Sequence, residues 1–573
     1  MKATDYIAAT LGEHGVDTVF GYQGSSIAHL IDSIAANPHL MFVESRHEQG
    51  AAFAANGYAL AKNSLGVALA CSGPGALNLI SGIADAYYDS IPCLFLTGQV
   101  SQSEMKTDQT MRQGGFQETD IISIVGPITK HAVSITDAKD IPTELEKAIG
   151  IALSDRKGPV LIDLPHNIQN TQIDAPGSPL KGKAMPSAPC PADWEGIATR
   201  IDAAHRPVMI IGGGCQGIPL EAFTRLDSLN IPVITSYRGK GLYDNALNAY
   251  CGTWGVFGER AANWAVKYSD LAICLGTRLD GRQTAYELLQ QGGQQQAIVF
   301  DVDDAELAKH PAEYDLFPIS AERALVHILD HLPSTSDHGA WLETVKAWRE
   351  RYPVADDYAI PSGHNPNVLL AAASRLMHPD ANITVDVGQN QLWSNTSLTI
   401  GAHQRLIQSA GLGAMGFALP AAIGAFCANG HQTICITGDG GMQMNIQDLQ
   451  TISEYHFPIK IIILNNRCLG LIRDYQSKAL GGRFAGSIEG FGSPDYRLIA
   501  QAYSMEYLKL DEGPIDSQLA HTLDDNASWI IEASIDQGST ACPEPTYGQS
   551  IMNQTPPLSE KELEQVRSEA YAH

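Results

Sequence analysis

Residues 433–466 read TICITGDGGMQMNIQDLQTISEYHFPIKIIILNN. Two apolar, β-branched runs, TICIT and IKIIIL, bracket a helical stretch, NIQDLQTISEYH, that stops before Pro458, so the segment reads as one βαβ unit. In such a unit Gly438, Asp439, Gly440, Gly441 and Met442 follow the carboxyl end of the first strand, while Asn465 and Asn466 end the second, 27 residues beyond Asp439. A carboxylate and an amide oxygen then face one crevice, beside a helix amino terminus whose glycine amides favour an anion. A small divalent ion such as Mg²⁺ seeks near-octahedral oxygen ligation and commonly shares its shell with phosphates. The pattern points to a metal-bound diphosphate. Gly-Asp-Gly alone is an ordinary turn sequence, and the interval with a strand at each end is what gives it meaning.

Outward from this unit the same alternation repeats. LMFVES, GVALACSG, CLFLTGQV and VLIDLP stand in the first third of the chain, VMIIGGG, VITSY, LAICLG and AIVFDVD in the second, and ITVDVG and WIIEASID in the last. Continuous apolar runs separated by helical patterns are the signature of parallel strands buried on both faces. Five prolines from Pro176 to Pro191, and the stretch PVADDYAIPSGHNPN from Pro353 to Asn367, break the chain where neither a helix nor a central strand can form. The expected fold class is therefore α/β, three doubly wound parallel-sheet domains over 1–170, 190–350 and 366–540, followed by a polar, Pro-containing tail over 541–573.

The composition narrows the partners. The chain has 573 residues and 63 acidic against 37 basic side chains, a formal charge of -26, which offers nothing to track a phosphate backbone or an anionic membrane. Ten scattered cysteines without a CxxC pair read as reduced thiols of a cytoplasmic protein. The amino terminus, MKATDYIAATLGEHG, reads as an amphipathic helix with Thr4 as N-cap and lacks the features of a signal peptide. The uncharged run from Leu406 to Gly430, interrupted by Pro420 and several glycines, reads as a buried helix rather than a membrane span.

The spacing from GDG to NN resembles the binding motif of thiamine diphosphate enzymes. That resemblance implies Mg²⁺ held by Asp439, the Asn466 side chain and the Cys468 backbone carbonyl. Thiamine chemistry also needs a buried carboxylic group at the pyrimidine ring to help remove a C2 proton of very low acidity. Glu48, in RHEQGAA just after the strand LMFVES, is the candidate, with His47 as a structural neighbour. The segments VFGYQGSSI, RHEQGAAFAANGYA, SGPGALNLISGIADAYYDSIP, TGQV, GFQETD, ITKH, GPVLIDLP, LGAMGFALPAAIGA and GDGGMQMN resemble, in order, the acetohydroxyacid (acetolactate) synthase branch of these enzymes. The three domains would then be pyrimidine-binding, central nucleotide-binding-like and diphosphate-binding.

The same resemblance places Gly24, Pro74 and Asn78 at the pyrimidine site, and Gln389 and Asn390 at the diphosphate. Met415 would be the wedge that bends the cofactor, and Phe116 and Gln117 would shape a substrate pocket completed by a neighbouring subunit. It implies a homodimer or homotetramer with active sites between chains. In the middle domain Gly213, Gly214, Gly255, Gly276, Arg278, Arg282 and Asp301, with Arg156 from the first domain, resemble FAD-binding segments of this family, as a largely structural cofactor.

Four positions depart from the family pattern: Gln23 replaces a proline, His166 a lysine, Asn390 a histidine and Tyr475 a tryptophan. His166 and Tyr475 are therefore candidates for acceptor recognition. The implied function is a carboligase that decarboxylates pyruvate and transfers a two-carbon unit to a second carbonyl substrate, either a ketoacid, as in acetolactate synthases, or a keto-deoxysugar. Simple decarboxylation, oxidation or C–C hydrolysis on the same fold, and a non-catalytic relative, are the alternatives.

Overall fold

The computed structural model describes residues 1–108, 110–174, 193–284, 296–333, 335–354, 360, 362–511, 513–545 and 550–572. The proline-rich break at 176–191 and part of the one at 353–367 lie outside them.

Three six-stranded sheets carry the chain, and every strand pairing within them is parallel. The first holds β1 (Thr18–Gly21), β2 (Met41–Glu44), β3 (Gly66–Ala70), β4 (Cys93–Gln99), β5 (His131–Ser134) and β6 (Val160–Pro165) in the order β2-β1-β3-β4-β6-β5. The second holds β7 (Pro207–Ile211), β8 (Val233–Thr235), β9 (Tyr250–Thr253), β10 (Leu271–Leu275), β11 (Gln296–Asp301) and β12 (Asp315–Pro318), ordered β12-β11-β10-β7-β8-β9. The third holds β13 (Asn382–Val385), β14 (Arg405–Gln408), β15 (Thr433–Gly438), β16 (Lys460–Asn465), β17 (Glu506–Lys509) and β18 (Trp529–Ser534), ordered β14-β13-β15-β16-β18-β17. Every run read as a strand in the sequence is a strand, and the three α/β domains are as expected.

The first and third sheets share one strand order, so each has its topological switch point between its first and third strands, β1/β3 and β13/β15. The middle sheet reverses between β7 and β10, the dinucleotide-fold arrangement. Three crevices are thereby fixed at strand carboxyl ends.

The first and third domains are joined by backbone contact between two small-residue helices. In Glu48–Lys62 nearly every residue is buried, and it crosses the buried helix Ala418–Asn429 so closely that a Cβ on Gly424 would lie 1.8 Å from the Ala54 carbonyl oxygen. A Cβ on Gly57 would lie 2.2 Å from the Ala421 carbonyl oxygen. Only glycine permits that approach.

Two expectations are corrected. Residues 406–430 are not one helix: they finish the edge strand β14, pass through an irregular stretch, and form a helix only from Ala418. Lys2, not Thr4, occupies the N-cap of helix Ala3–Glu13; the Ala3 amide donates to the Thr171 carbonyl and draws the helix start back, and Thr4 is buried inside it. In the polar tail, helix Glu560–Ala570 packs Val566 and Ala570 into the middle-domain core. There Arg260 donates to the Gln554 and Pro556 carbonyls, and Trp348 donates to Glu569 at 2.8 Å. Among the described residues no helix is long and apolar enough to cross a membrane, and every cysteine is free.

Candidate active site

At the switch point of the third sheet two helices begin side by side. Gln389–Ser397 starts after β13, following Gly388 at φ 117°, and Asp439–Met444 starts directly after β15. A Cβ on Gly438 would lie 3.3 Å from Asn390 Oδ1, so the helix starts adjoin, and their amide ends form an anion-favouring crevice. The Asp439 side chain is buried, and its Oδ2 has no hydrogen-bond partner. Burial pushes this carboxyl up to about 7. A buried carboxylate oxygen without a hydrogen-bond partner is free to ligate a cation.

Across from it Asn466 Oδ1 accepts from the Cys468 amide at 3.2 Å, and Asn466 Nδ2 donates to Gln389 Oε1 at 3.0 Å. Gln389 is itself held, donating to Asp474 at 2.6 Å and to the Ser539 carbonyl at 2.9 Å. The Cys468 thiol is buried and pushed up to about 12 by desolvation, hence no thiolate ligand; its place in the turn after Asn466 leaves the backbone carbonyl as the donor to consider. Among the described residues no three His, Cys, Asp or Glu side chains cluster as a metal site. One carboxylate, one amide and one carbonyl suit Mg²⁺, which keeps part of its shell for phosphate and water. Met442 is core, and a Cβ on Gly441 would press on Asp386 at 2.7 Å. A Cβ on Gly440 would lie 3.5 Å from Met415 Cε, so Met415 reaches the GDG turn.

The first sheet builds a second crevice at its own switch point. Glu48 opens its helix, 8% exposed, and Asn78 Nδ2 donates to Glu48 Oε2 at 2.9 Å. His47 caps the helix, its ring accepting from the Gln49 amide at 3.2 Å. Pro74 begins the short helix Pro74–Asn78, and the next residue is so tightly placed that a Cβ on Gly75 would lie 3.1 Å from Glu48 Oε1. A Cβ on Gly24 would strike Cys71, whose thiol is raised by burial and by the charge of Glu48. Gln117, at φ 65°, packs where a Cβ on Gly73 would go, while Phe116 stands 85% exposed beside it. His166, just past β6, packs against His29 with the rings tilted at 39° and their centroids 5.0 Å apart. Tyr475 is 56% exposed on the helix after the Asn466 turn.

The hydrogen bonds tying the first and third domains in one chain run elsewhere: Arg46 and Glu44 amides donate to Asp448 and Tyr455, and Asp85 and Asp89 accept from the 409–411 stretch. Among the described residues no hydrogen bond joins the Glu48 cluster to the Asp439 cluster.

The third crevice, at the β7/β10 reversal, opens into a cavity of about 320 Å³ lined by Gly213, Gly214, Gly276, Arg278, Arg282 and Asp301, with Arg156 from the first domain. Gly276, at φ 54°, abuts Gly214 so closely that a Cβ there would reach the Gly214 Cα at 2.6 Å. The guanidinium groups are already engaged: Arg156 with Asp303, Glu306 and Ser90, Arg278 with Asp280, Arg282 with Gln391 and Ala410. Gly255 does not line the cavity but lies behind it, where a Cβ would approach the Arg282 carbonyl to 3.0 Å.

Reading the sequence missed Asp386, Ser409 and Asp85, which shape the stretch on both sides of Met415. Asp386 stood in plain view at the carboxyl end of ITVDVG; the other two have no local pattern.

Comparison with known families matches three stretches of the chain: "Thiamine pyrophosphate enzyme, N-terminal TPP binding domain" over residues 1–124, the corresponding central domain over 194–322, and the C-terminal TPP binding domain over 386–532. An acetolactate synthase large subunit of Parasynechococcus marenigrum is 35% identical over 556 residues, covering 94% of this chain and 88% of that one. One from Pyropia yezoensis is 34% identical over 563 residues, covering 94% and 92%. The isozyme 2 large subunit of Escherichia coli is 34% identical over 554 residues, covering 94% and 96%.

Proposed function

Because this chain belongs to the acetolactate synthase large-subunit family of thiamine diphosphate enzymes, we propose that its carboligase activity uses pyruvate as donor and a second pyruvate as acceptor, with Mg²⁺ as the metal and Glu48 and Asp439 as its two indispensable carboxylates. The enzyme is a thiamine diphosphate-dependent carboligase that transfers a two-carbon unit. The observation that carries the residue assignment is a pairing of place. Glu48 and Asp439 are each buried at a strand carboxyl end, by the switch points of two sheets with the same strand order, one hydrogen-bonded to Asn78 and the other with an unpartnered oxygen.

When bound, thiamine diphosphate supplies a carbon nucleophile and a sink for the electrons released as pyruvate loses CO₂. Asp439, Asn466 and the Cys468 carbonyl would hold Mg²⁺, and the amide ends at Gln389, Asn390, Gly440 and Gly441 would hold the diphosphate. Gly24, Pro74 and Asn78 would frame the pyrimidine, with Glu48 exchanging a proton at its ring nitrogen. Desolvation of the crevice strengthens that hydrogen bond. Gln117 and Phe116 would border the substrate.

The exposure of Phe116 suits a side chain that a second chain covers, and so supports an active site built by two chains. The middle-domain cavity fits part of a dinucleotide, with glycine turns for close approach and arginines at its rim; FAD is the reading it supports. The enzyme is read as cytoplasmic.

A second reading has its own support. Tyr475 stands where acetolactate synthases carry tryptophan, and His166 where they carry lysine; together they favour a bulkier, more polar carbonyl acceptor such as a keto-deoxysugar. Product analysis from pyruvate, alone and with added ketoacids or keto-deoxysugars, decides between them. Acetolactate from pyruvate alone supports the first reading, and a mixed product formed in preference to it supports the second. Acetaldehyde or acetate as the sole product under all conditions would overturn both.

A further inference from the structure

Between β14 and helix Ala418–Asn429 the chain runs through Ser409–Phe417 without regular structure, and this stretch carries Met415. With Gly411, Gly413 at φ 70° and Gly416 at φ 80°, it has little rigidity of its own. Its shape has to come from groups that take up its amides. On the carboxyl side of Met415, the buried Asp386 accepts from the Gly416 amide at 3.0 Å and the Ala418 amide at 3.1 Å. Asn445 Nδ2 donates to the Gly416 carbonyl at 2.9 Å.

On the amino side the two amides next to Met415 fall to one hydroxyl. Ser409 Oγ accepts from the Gly413 and Ala414 amides, at 3.0 Å each, and donates its own proton to Asp85. The hydroxyl's hydrogen-bonding capacity is thus saturated, and its rotor is fixed by the need for an acceptor at Asp85. Asp85 belongs to another domain: it lies on helix Ile80–Tyr88, fully buried, its second oxygen accepting from Asn56 Nδ2 at 2.9 Å. One turn on, Asp89 accepts from the Ala410 amide at 2.8 Å and the Gly411 amide at 2.9 Å. A carboxylate taken wholly out of water is costly unless its hydrogen bonds are met, and here one is met by Asn56 and the other by the start of the stretch that leads to Met415.

We propose that Asp85 and Ser409 are positioning residues for the carboligation: across the boundary between the first and third domains they set the backbone of Gly413 and Ala414, and so hold Met415 against the Gly438–Gly441 turn. Neither has to touch the cofactor. The proposal rests on Met415 shaping bound thiamine diphosphate, and the test separates the two.

Exchange of the cofactor's C2 proton for deuterium, followed by acid quench and NMR, is measured in protein loaded with thiamine diphosphate and Mg²⁺. Ser409→Ala is expected to slow it on the order of 10- to 100-fold, the scale of an ångström-level misplacement. Ser409→Thr, which keeps the hydroxyl, restores the rate, and Ser409→Ala adds no further loss on top of Met415→Ala. In the cofactor-free protein, mass-spectrometric hydrogen exchange of 409–418 is expected to quicken in Ser409→Ala. Ser409→Cys, similar in size and weak in hydrogen bonding, serves the same comparisons if the alanine variant does not fold. A slowed rate in Met415→Ala but not in the Ser409 variants overturns the positioning role and leaves the Met415 reading standing. Losses that multiply in the double variant, or unchanged amide exchange, overturn it as well. An unchanged rate in Met415→Ala overturns the premise and the proposal together.

Discussion

Glu48 sits at the first position of its helix, buried, with Asn78 on one oxygen. Glu48→Gln keeps the shape and the hydrogen bond from Asn78 but removes the exchangeable proton, so kcat is expected to fall by roughly 10²–10⁴-fold, the usual worth of a positioned acid–base group. Thiamine diphosphate should still bind with near-normal affinity by fluorescence titration; full activity would contradict the assignment. At Asp439 the expectation is opposite in kind. Asp439→Ala removes a metal ligand, so the Mg²⁺ needed for half-maximal cofactor binding should rise by more than the roughly 10–100-fold that loss of an outer-shell partner costs. Asp448 offers a test of burial alone. Desolvation pushes its carboxyl up to about 7, against roughly 3.9 unfolded. Between those values the folded chain binds more protons than the unfolded one, so this group's contribution to stability falls as pH rises from about 4 to 7. Asp448→Asn should shed that slope and gain on wild type by up to about 1 kcal/mol per pH unit in denaturant titrations; parallel profiles would refute it.

At the scale of elements, the glycines where helices Glu48–Lys62 and Ala418–Asn429 cross fix how the first domain rides on the third. A Cβ on Gly424 would fall 1.8 Å from the Ala54 carbonyl oxygen. Gly424→Ala must spread the pair, at a cost of about 1–3 kcal/mol or more in unfolding free energy; an unchanged denaturation midpoint would show the contact is slack. These two helices were legible as small-residue segments, but not as partners, because alanine-rich stretches bury all round and carry no periodicity to say which face meets what. The strands divide in the same way. Long buried runs such as VLIDLP, LAICLG and IKIIILNN declared themselves; the four-residue strands β1, β9 and β14 were not picked out, and neither were edge strands β5, β12 and β17. Half-exposed and four residues long, these last three mix polar and apolar side chains without a clear alternation. Helix Glu560–Ala570 was hidden by its charge, although Ser559 and Glu562 form a capping box that marks its start.

Over the whole molecule, what was legible was the fold class and the residues at strand ends: Glu48, Asp439, Asn466 and the glycines beside them; the strand order was not. Long-range partnerships, such as Asp85 with Ser409, 324 positions apart, have no trace in local sequence and become visible only in the fold. The same limit applies to assembly, where we propose that one cofactor is gripped by the Asp439 motif of one chain and by Glu48 of another. Hybrid enzyme carrying Glu48→Gln in one chain and Asp439→Ala in its partner, purified by two different affinity tags, tests that claim most directly. If sites are shared, each hybrid dimer rebuilds one intact site of two, and carboligase activity should return to about half that of wild type. If each chain completes its own site, both sites in the hybrid are crippled, and activity no higher than that of either parent variant would contradict the account.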